Sequence, residues 1–518
     1  MSTVVDAIAD EPGAGTLTVI GTDGVATALD WAGLHRRARQ IATLLGDRGL
    51  RRGCRVGLLT DIGIDLIATL QAVWLVGGAV TVLPVPVRGA GCADQVDAIA
   101  ADARLDLVVT EDLLADLAAG AVDAVPRLPV RPDAADLAVL QYTSGSTRVP
   151  RGVPVTHRHL LANLTGIRHA LEHDRDHPGP MLSWLPLYHD LGLIGSLALP
   201  MWCGCSAVLL SPRVFARWPG AWVDAITTYR PTMSAGPNAA YRVLARLLRA
   251  RPDADLSSLR RLIVGGEPVD PATMAAFLDA ARARGLDPSA LSPSYGLAEA
   301  TLAVTVPARG SGLCLDEVDP VALEAAGCAR PAPGRSLVRL GRPIPGMSVR
   351  IVDRRTGVRL GERRVGHIEV RGPSVVGHYW GEPPTPPGAW LRTGDLGYLA
   401  EGDLIVCGRE KDVLFAAGRN IFPQDVEAAV AEVHPGCAVA FGVPGERLVV
   451  AVESTGQPDV VRRTVIAAVA REVGLTPVAV PVLPRHRLPR TSSGKLRRAE
   501  TRRQYLAGEL DTTERRPA

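Results

Sequence analysis

The segment of this sequence best suited to hold an anion is Tyr142-Thr-Ser-Gly-Ser-Thr-Arg-Val-Pro-Arg-Gly152. Small hydroxylated residues around a glycine let the backbone approach closely, and their N–H and O–H groups can donate to phosphate oxygens. It is not a Walker A loop, because the G-x-x-x-x-G-K-[ST] spacing is absent. Taken alone, such a loop reads more readily as a flexible surface turn. A second chemical candidate is Lys495, in Pro489-Arg-Thr-Ser-Ser-Gly-Lys495, within a stretch that also holds Arg485, Arg487, Arg490, Arg497, Arg498, Arg502 and Arg503. A lysine in a basic tail is by itself a solvated charge. Cys203 and Cys205 are the only close pair among eight cysteines, and a lone C-x-C reads as packing rather than a metal site.

The elements that would position these residues alternate. Apolar runs at Arg55–Leu59, Ala79–Val82, Leu107–Val109 and Arg261–Val264 are separated by helical patterns such as Ala32–Leu45 and Ala272–Ala283. That alternation predicts α/β architecture with mainly parallel sheets. Past Gly361 the texture changes: Gly366–Val370 and Leu404–Cys407, with Ser348–Val352 just before, are short β-rich runs with turn residues between them. They predict a compact barrel-like or antiparallel subdomain. After Gly408–Asp412 come a helix at Gln424–Val433, strands at Ala438–Val443 and Leu448–Val452, and a helix at Val460–Val473, a small α+β unit. The expected division is therefore 1–407 for a large N-terminal domain of parallel-sheet α/β subdomains plus the small β-barrel-like one. Residues 408–518 form the small C-terminal domain.

Composition narrows the field. The 518 residues are 47% hydrophobic and 21% charged, ordinary for a globular protein with a substantial core. Fifty-seven basic and 54 acidic residues give a net charge of +3, so no nucleic-acid or membrane footprint follows. Met1–Gly15 carries acidic residues and no apolar core, unlike a secretory signal. The most apolar stretch, Val56–Val87, is broken by Asp61, Asp65, Gln71, Pro84 and Pro86 and reads as strand, helix, strand rather than a membrane span. Reduced thiols and a cytoplasmic home are the expectation.

The hydroxyl-rich loop has company. Ser183-Trp-Leu-Pro-Leu-Tyr-His-Asp-Leu-Gly192, Gly265-Gly-Glu-Pro268, Pro293-Ser-Tyr-Gly-Leu-Ala-Glu-Ala300, Gly377-His-Tyr-Trp380, Arg392-Thr-Gly-Asp-Leu-Gly397, Gly408-Arg-Glu-Lys-Asp412 and the Lys495 segment follow it in order. Together they resemble the motifs of the adenylate-forming superfamily, which includes acyl-CoA ligases, peptide-synthetase adenylation domains, luciferases and fatty acyl-AMP ligases. The resemblance implies that a carboxylate attacks the α-phosphorus of ATP and expels pyrophosphate. Both reactants are anions, so catalysis would be chiefly positioning and charge neutralisation.

By the same resemblance Thr143, Ser144, Gly145, Ser146 and Thr147 would hold the β- and γ-phosphates, and Glu299 would support Mg²⁺. Tyr295, between Ser294 and Gly296, would stack on adenine, with Gly266, Glu267 and Pro268 on the other side. Asp395 and Arg409 would hold the ribose. Lys495 would be a catalytic lysine on a mobile domain, bridging the α-phosphate and the acid, and Lys411 the hinge of that domain. His189 would gate or line the acyl pocket, with Ser234, Ala235, Gly236 and Leu297 as its wall.

The wording of Leu140–Arg148, Ser183–Asp190 and Gly418–Glu427 is most similar to fatty acyl-AMP ligases. A connection of roughly forty residues, Thr301–Leu340, is longer than an ordinary loop and matches an insertion that the branch carries, thought to restrain the small domain and disfavour CoA. The resemblance thus implies transfer of a fatty or related acyl group to the phosphopantetheine thiol of an acyl carrier protein. An acyl-CoA ligase is the alternative, and a non-adenylating protein of the same fold a third reading. The terminal arginines read as a solvated face or as a surface for an acidic carrier. Arg151, Val264 and Ala417 depart from residues common in relatives, which are lysine, asparagine and a basic residue.

Overall fold

Two mainly parallel sheets carry the first three hundred residues, and each is built from the short apolar runs that alternate with helices. The computed structural model describes residues 3–9, 13–85, 92–125, 130–143, 150–171, 179–386, 388–416, 419–434, 436–445, 447–490 and 496–510. One sheet has the order Leu107–Val109, Arg55–Leu58, Ala79–Val82, Leu137–Thr143, Arg151–Thr156, parallel except for its last pair. The apolar stretch from Val56 resolves as strand Arg55–Leu58, helix Ile64–Leu75 and strand Ala79–Val82. Among the described residues no helix is long and apolar enough to cross a membrane.

The second sheet has seven strands in the order Leu291–Pro293, Arg261–Val264, Met233–Gly236, Met181–Ser183, Ala207–Leu210, Thr16–Ile20, Ala26–Asp30. All pairs are parallel except the last, an antiparallel hairpin from the N-terminal region. Arg261–Val264 is buried along its whole length, as strands covered on both faces require. Helix Asn238–Arg249 buries Ala240, Tyr241, Leu244, Ala245 and Leu248 on one side, the spacing of an amphipathic helix. It packs against helix Pro271–Arg282 through Tyr241 and Phe277, whose rings meet edge to face at 5.0 Å.

After residue 340 the chain turns antiparallel. Ser348–Val352, Gly366–Arg371, Leu391–Ala400 and Asp403–Arg409 form one sheet in that order. Its four strands stay open rather than closing as a barrel among the described residues. This bears out the antiparallel part of the expectation and corrects the barrel-like part: among the strands Ser348–Val352 pairs only with Gly366–Arg371, while the far edge, Asp403–Arg409, bridges onward to Arg339 rather than back to it. The last strand runs to Arg409, through the expected 407/408 boundary. Beyond it, Ala438–Val443, Arg447–Glu453 and Val482–Leu483 form a three-stranded sheet with helices Pro423–Val433, Pro458–Glu472 and Arg498–Ala507. This α+β unit has its own core, built on Val426, Val430, Val450, Val465 and Val469.

The long connection is ordered. It holds a two-stranded sheet, Leu315–Val318 with Arg335–Val338, and helix Pro320–Ala326. Val318, Leu323 and Leu337 pack with Leu396, Tyr398, Ile405 and Phe422 in a separate apolar cluster. Polar links reach the α+β unit: Arg335 pairs with Asp425 at 2.7 Å and Arg419 with Glu324 at 3.0 Å.

Candidate active site

Parallel strands all point their carboxyl ends one way, and ligands of open α/β sheets gather there. Here those ends deliver four expected segments side by side. Met181–Ser183 leads to His189, Met233–Gly236 ends in Gly236, Arg261–Val264 leads to Gly265–Pro268, and Leu291–Pro293 leads to Ser294–Glu299.

Backbone geometry explains several residue types. Gly266 has φ of 78°, a region that favours glycine. A Cβ on Gly296 would lie 2.0 Å from the Leu302 carbonyl oxygen, so Tyr295-Gly296 must approach the next strand closely. Leu297 N–H donates to that same carbonyl at 2.9 Å, and Ser294 N–H to the Val264 carbonyl at 2.8 Å. Glu267 accepts from Ala239 N–H at 2.7 Å, at the start of helix Asn238–Arg249, and Pro268 is exposed.

Tyr295 and Asp395, a hundred positions apart, meet. The Tyr295 hydroxyl donates to Asp395 Oδ2 at 2.6 Å. Arg409, paired with Asp395 across adjacent strands, sets its Nε 3.4 Å from Oδ1. Burial raises the Asp395 carboxyl above its ordinary value, against the pull of Arg409 and the Tyr295 hydroxyl. Burial and the neighbouring Asp395 charge hold the Tyr295 phenol far above its own, so it stays a donor.

Glu299 stands on a single helical turn, Ala298–Ala300. Thr301, just after it, has φ of 74°, costly for a β-branched residue. Its hydroxyl donates to the Ser374 carbonyl at 2.8 Å. Buried Asn163 adds bonds to the Ala300 and Ala303 carbonyls, the Ser374 hydroxyl and Ala303 N–H. These bonds hold the strained turn. The Glu299 carboxylate accepts from the Tyr379 hydroxyl at 2.5 Å and has no ion pair among the described residues.

Thr143 ends its strand opposite Arg151. Ser144, Gly145, Ser146 and Thr147, between those two strands, lie outside the described residues, as does Lys495. On either side of residues 491–495, Arg490 and Leu496 form an antiparallel bridge, and Arg490 pairs with Glu453 at 3.0 Å. Lys411 is exposed in the turn Glu410–Asp412, next to Asp412, which pairs with Arg498 at 3.0 Å. His189 precedes a π-helix, Leu191–Ala198, a form frequent at functional sites. Gln141 Nε2 donates to the Tyr188 carbonyl at 2.7 Å, tying the His189 segment to the strand before the hydroxyl-rich loop. Ser234 and Gly236 face Trp222, whose indole N–H donates to the Ser234 hydroxyl at 3.0 Å.

The profile of the AMP-binding enzyme family matches residues 9–380. The chain belongs to this family. As an adenylate-forming ligase it activates an acyl group with ATP. Among its relatives, Rv1013 of Mycobacterium tuberculosis, named only as a ligase, is 39% identical over 510 residues, covering 91% of this chain and 93% of its own. FadD23 of the same species, named a long-chain-fatty-acid–AMP ligase, is 33% identical, covering 96% of this chain and 94% of its own. FadD21, also from that species and named a fatty-acid–CoA ligase, is 33% identical and covers 93% of each. A solved structure from a study of fatty acyl-adenylate ligases of E. coli and L. pneumophila superposes with a TM-score of 0.87 at 30% identity, covering 98% of both chains. The A-PCP unit of McyG bound to phenylalanyl-adenylate gives 0.84 at 25% identity, covering 98% of this chain and 82% of its own.

Tyr379 and Asn163 are the residues that sequence reasoning missed for this adenylate-forming site. Tyr379 lies inside a recognised motif, but nothing in Gly377-His-Tyr-Trp380 points to Glu299, eighty positions away. Asn163 sits in an amphipathic helix with no local signal at all.

Proposed function

We propose that this ligase joins a fatty or related natural-product acid to AMP, releases pyrophosphate, and passes the acyl group to the phosphopantetheine thiol of an acyl carrier protein. The observation that carries the reading is the convergence of Tyr295, Asp395 and Arg409, beside the strand ends that hold Glu299. A flat donor ring, a buried carboxylate for vicinal hydroxyls and a nearby cation suit a nucleoside. In this reading Tyr295 stacks on adenine between Ser294 and Gly296, with Gly266, Glu267 and Pro268 opposite. Asp395 and Arg409 hold the ribose, and Thr143–Thr147 the β- and γ-phosphates. Lys495 neutralises the α-phosphate and the incoming carboxylate. His189, Ala235 and Leu297, with Ser234 and Gly236 behind them, border the acid. Residues 1–407 are the adenylation core, and 408–518 rotate about Lys411.

Glu299 suits Mg²⁺: it is a hard oxygen donor without a counter-ion among the described residues, and no cluster of three potential protein ligands occurs there. Mg²⁺ keeps several waters and takes phosphate oxygens beside one or two carboxylates. When bound it would neutralise phosphate charge.

The carrier-directed half rests on the ordered Thr301–Leu340 connection and its links Arg335–Asp425 and Glu324–Arg419, which suit a restraint on the C-terminal unit. FadD23 carries an AMP-ligase name, and the McyG unit includes a carrier domain. FadD21's name supports the second reading, transfer to CoA.

The test is one incubation with ATP, Mg²⁺ and mixed carboxylic acids, alone, with CoA, or with a phosphopantetheinylated carrier, read by mass spectrometry. Acyl-AMP that persists with CoA and is consumed by the carrier supports the proposal. Acyl-CoA formation moves the protein to the second reading. No nucleotide product with any acid overturns adenylation.

A further inference from the structure

The motif Gly377–Trp380 has no role in the reading above, yet its segment bonds both to the Glu299 turn and to the strand that follows the hydroxyl-rich loop. At one end Val376 N–H donates to the Glu299 carbonyl at 2.8 Å, and at the other Trp380 N–H donates to the Gly152 carbonyl at 2.8 Å. Gly152 is the second residue of strand Arg151–Thr156, which follows the hydroxylated residues of the loop. Trp380 also donates its indole N–H to the Asp102 carbonyl at 3.1 Å, and Asp102 accepts from the Tyr142 hydroxyl at 2.5 Å. So the residues on both sides of the loop, Tyr142 and Gly152, are tied to the same short segment. A Cβ on Gly152 would lie 3.1 Å from the Tyr142 ring and 3.2 Å from Trp380 Cβ, which accounts for the glycine.

Between these anchors lies Tyr379. Its hydroxyl donates to Glu299 Oε1, and the Arg151 guanidinium lies 3.4 Å from its ring centroid. Arg151 in turn pairs with Glu382, which accepts from Tyr379 N–H at 3.2 Å. One Glu299 oxygen is thus occupied.

We propose that Gly377–Trp380 is a strap that registers Glu299 against the two strands flanking the hydroxyl-rich loop, and that Tyr379 is the positioning residue at its centre, selective for the phosphate and metal end of the nucleotide. The proposal rests on the adenylation reading. Its physical basis is that a carboxylate and a loop from distant parts of the chain must hold one fixed separation to share a metal–phosphate group. Tyr379 fixes the carboxylate, Val376 and Trp380 fix the two backbones, and Arg151 fixes the Tyr379 ring.

Tyr379→Phe keeps the ring under Arg151 and deletes the one hydroxyl. The probes are α,β-methylene-ATP with Mg²⁺, which carries the β- and γ-phosphates, and AMP, which lacks them. Both are titrated calorimetrically against the full chain. A partner that orients a metal-binding carboxylate is typically worth about 10–100-fold in metal affinity, so binding of the magnesium analogue should weaken about 10-fold or more. The Mg²⁺ concentration for half-saturation should rise with it, while AMP affinity and thermal midpoint stay within about 2-fold and about 2 °C. Arg151→Gln should move the same readouts in the same direction by about 3-fold.

Equal weakening of AMP and the magnesium analogue would reduce Tyr379 to packing and overturn the proposal. So would unchanged binding of both in Tyr379→Phe. If Tyr379→Phe does not fold, Arg151→Gln decides by the same comparison. A wild-type chain that binds neither nucleotide would instead overturn the adenylation reading beneath it.

Discussion

Replacing Tyr295 by phenylalanine tests the nucleoside site with the smallest possible change. The ring is retained, so the proposed stacking on adenine is retained, and a single 2.6 Å hydrogen bond to Asp395 is lost. In the proposed role Asp395 accepts from both ribose hydroxyls, which its ionised form does best. Its carboxyl is raised by burial and pulled back by Arg409 and by Tyr295. Activity is therefore present above the Asp395 pKa and lost as pH falls through it, and removing a donor to the ionised form moves that limb upward. The Arg409 side chain is 59% exposed, so solvent screens its compensation. A hydrogen bond to a charged group is worth roughly 1.5–3 kcal/mol, and one pKa unit is about 1.4 kcal/mol; with relaxation the acid limb should move up by about one unit. The assay is ATP–pyrophosphate exchange, with kcat/KM for ATP measured from about pH 5 to about pH 9. Well above the limb the variant should stay within about 3-fold of wild type; on the limb it should lose about 10-fold. An acid limb that stays put or moves down would refute the assignment of Asp395, and a uniform loss at every pH would mean that the hydroxyl serves ring placement instead.

Arg335→Met leaves Asp425, whose carboxyl burial already raises to about 6 against Arg335. A raised carboxyl costs stability above its folded pKa and nothing below its unfolded one, so the variant should lose about 2 kcal/mol at about pH 7.5 and under half of that at about pH 5, by urea unfolding. Equal losses at both would refute the pairing. Asn163→Ala strips four hydrogen bonds from the turn after Glu299. It should cost about 3 kcal/mol in the same unfolding measurement; a change within about 0.5 kcal/mol would mean the turn holds itself. Lys495→Ala should lower adenylation by roughly 10²–10³ while leaving thiol transfer from preformed acyl-AMP nearly unchanged. Equal loss in both steps, followed by mass spectrometry, would sink its role at the α-phosphate.

The strands at Ala79–Val82, Leu107–Val109, Arg261–Val264, Ser348–Val352 and Ala438–Val443 were legible to the residue because buried strands read as short apolar runs between turn residues. The π-helix Leu191–Ala198 was not: its apolar residues carry no period that separates it from an ordinary buried helix. The N-terminal hairpin Thr16–Ile20 with Ala26–Asp30 joins a sheet whose other strands begin at 181, and strand order across such a distance has no local signature. Roles at Tyr295, Asp395 and Glu299 came from motif company. What company could not supply is contact: that Tyr379 reaches Glu299, or that Asn163 braces the turn after it, follows only when distant segments are folded together.

The same distinction bears on acid selectivity. Ser234, Ala235 and Gly236 are small, and smallness beside a substrate site invites a reading as pocket wall. The Ser234 hydroxyl donates to the Leu182 carbonyl at 2.8 Å and accepts from the Trp222 indole. A Cβ on Gly236 would lie 3.1 Å from Trp222 and 3.5 Å from Tyr241. Trp222 belongs to an aromatic group with Trp184, Phe215 and Tyr241 that fills this side of the sheet. Two of the three residues are therefore small because a tryptophan needs the space, whatever acid is bound. Side chains alternate along a strand, so Ala235 alone projects to the opposite face. An acid bound on that face would meet Ala235 and the backbone of its neighbours, so the size of Ser234 or Gly236 carries no information about its length.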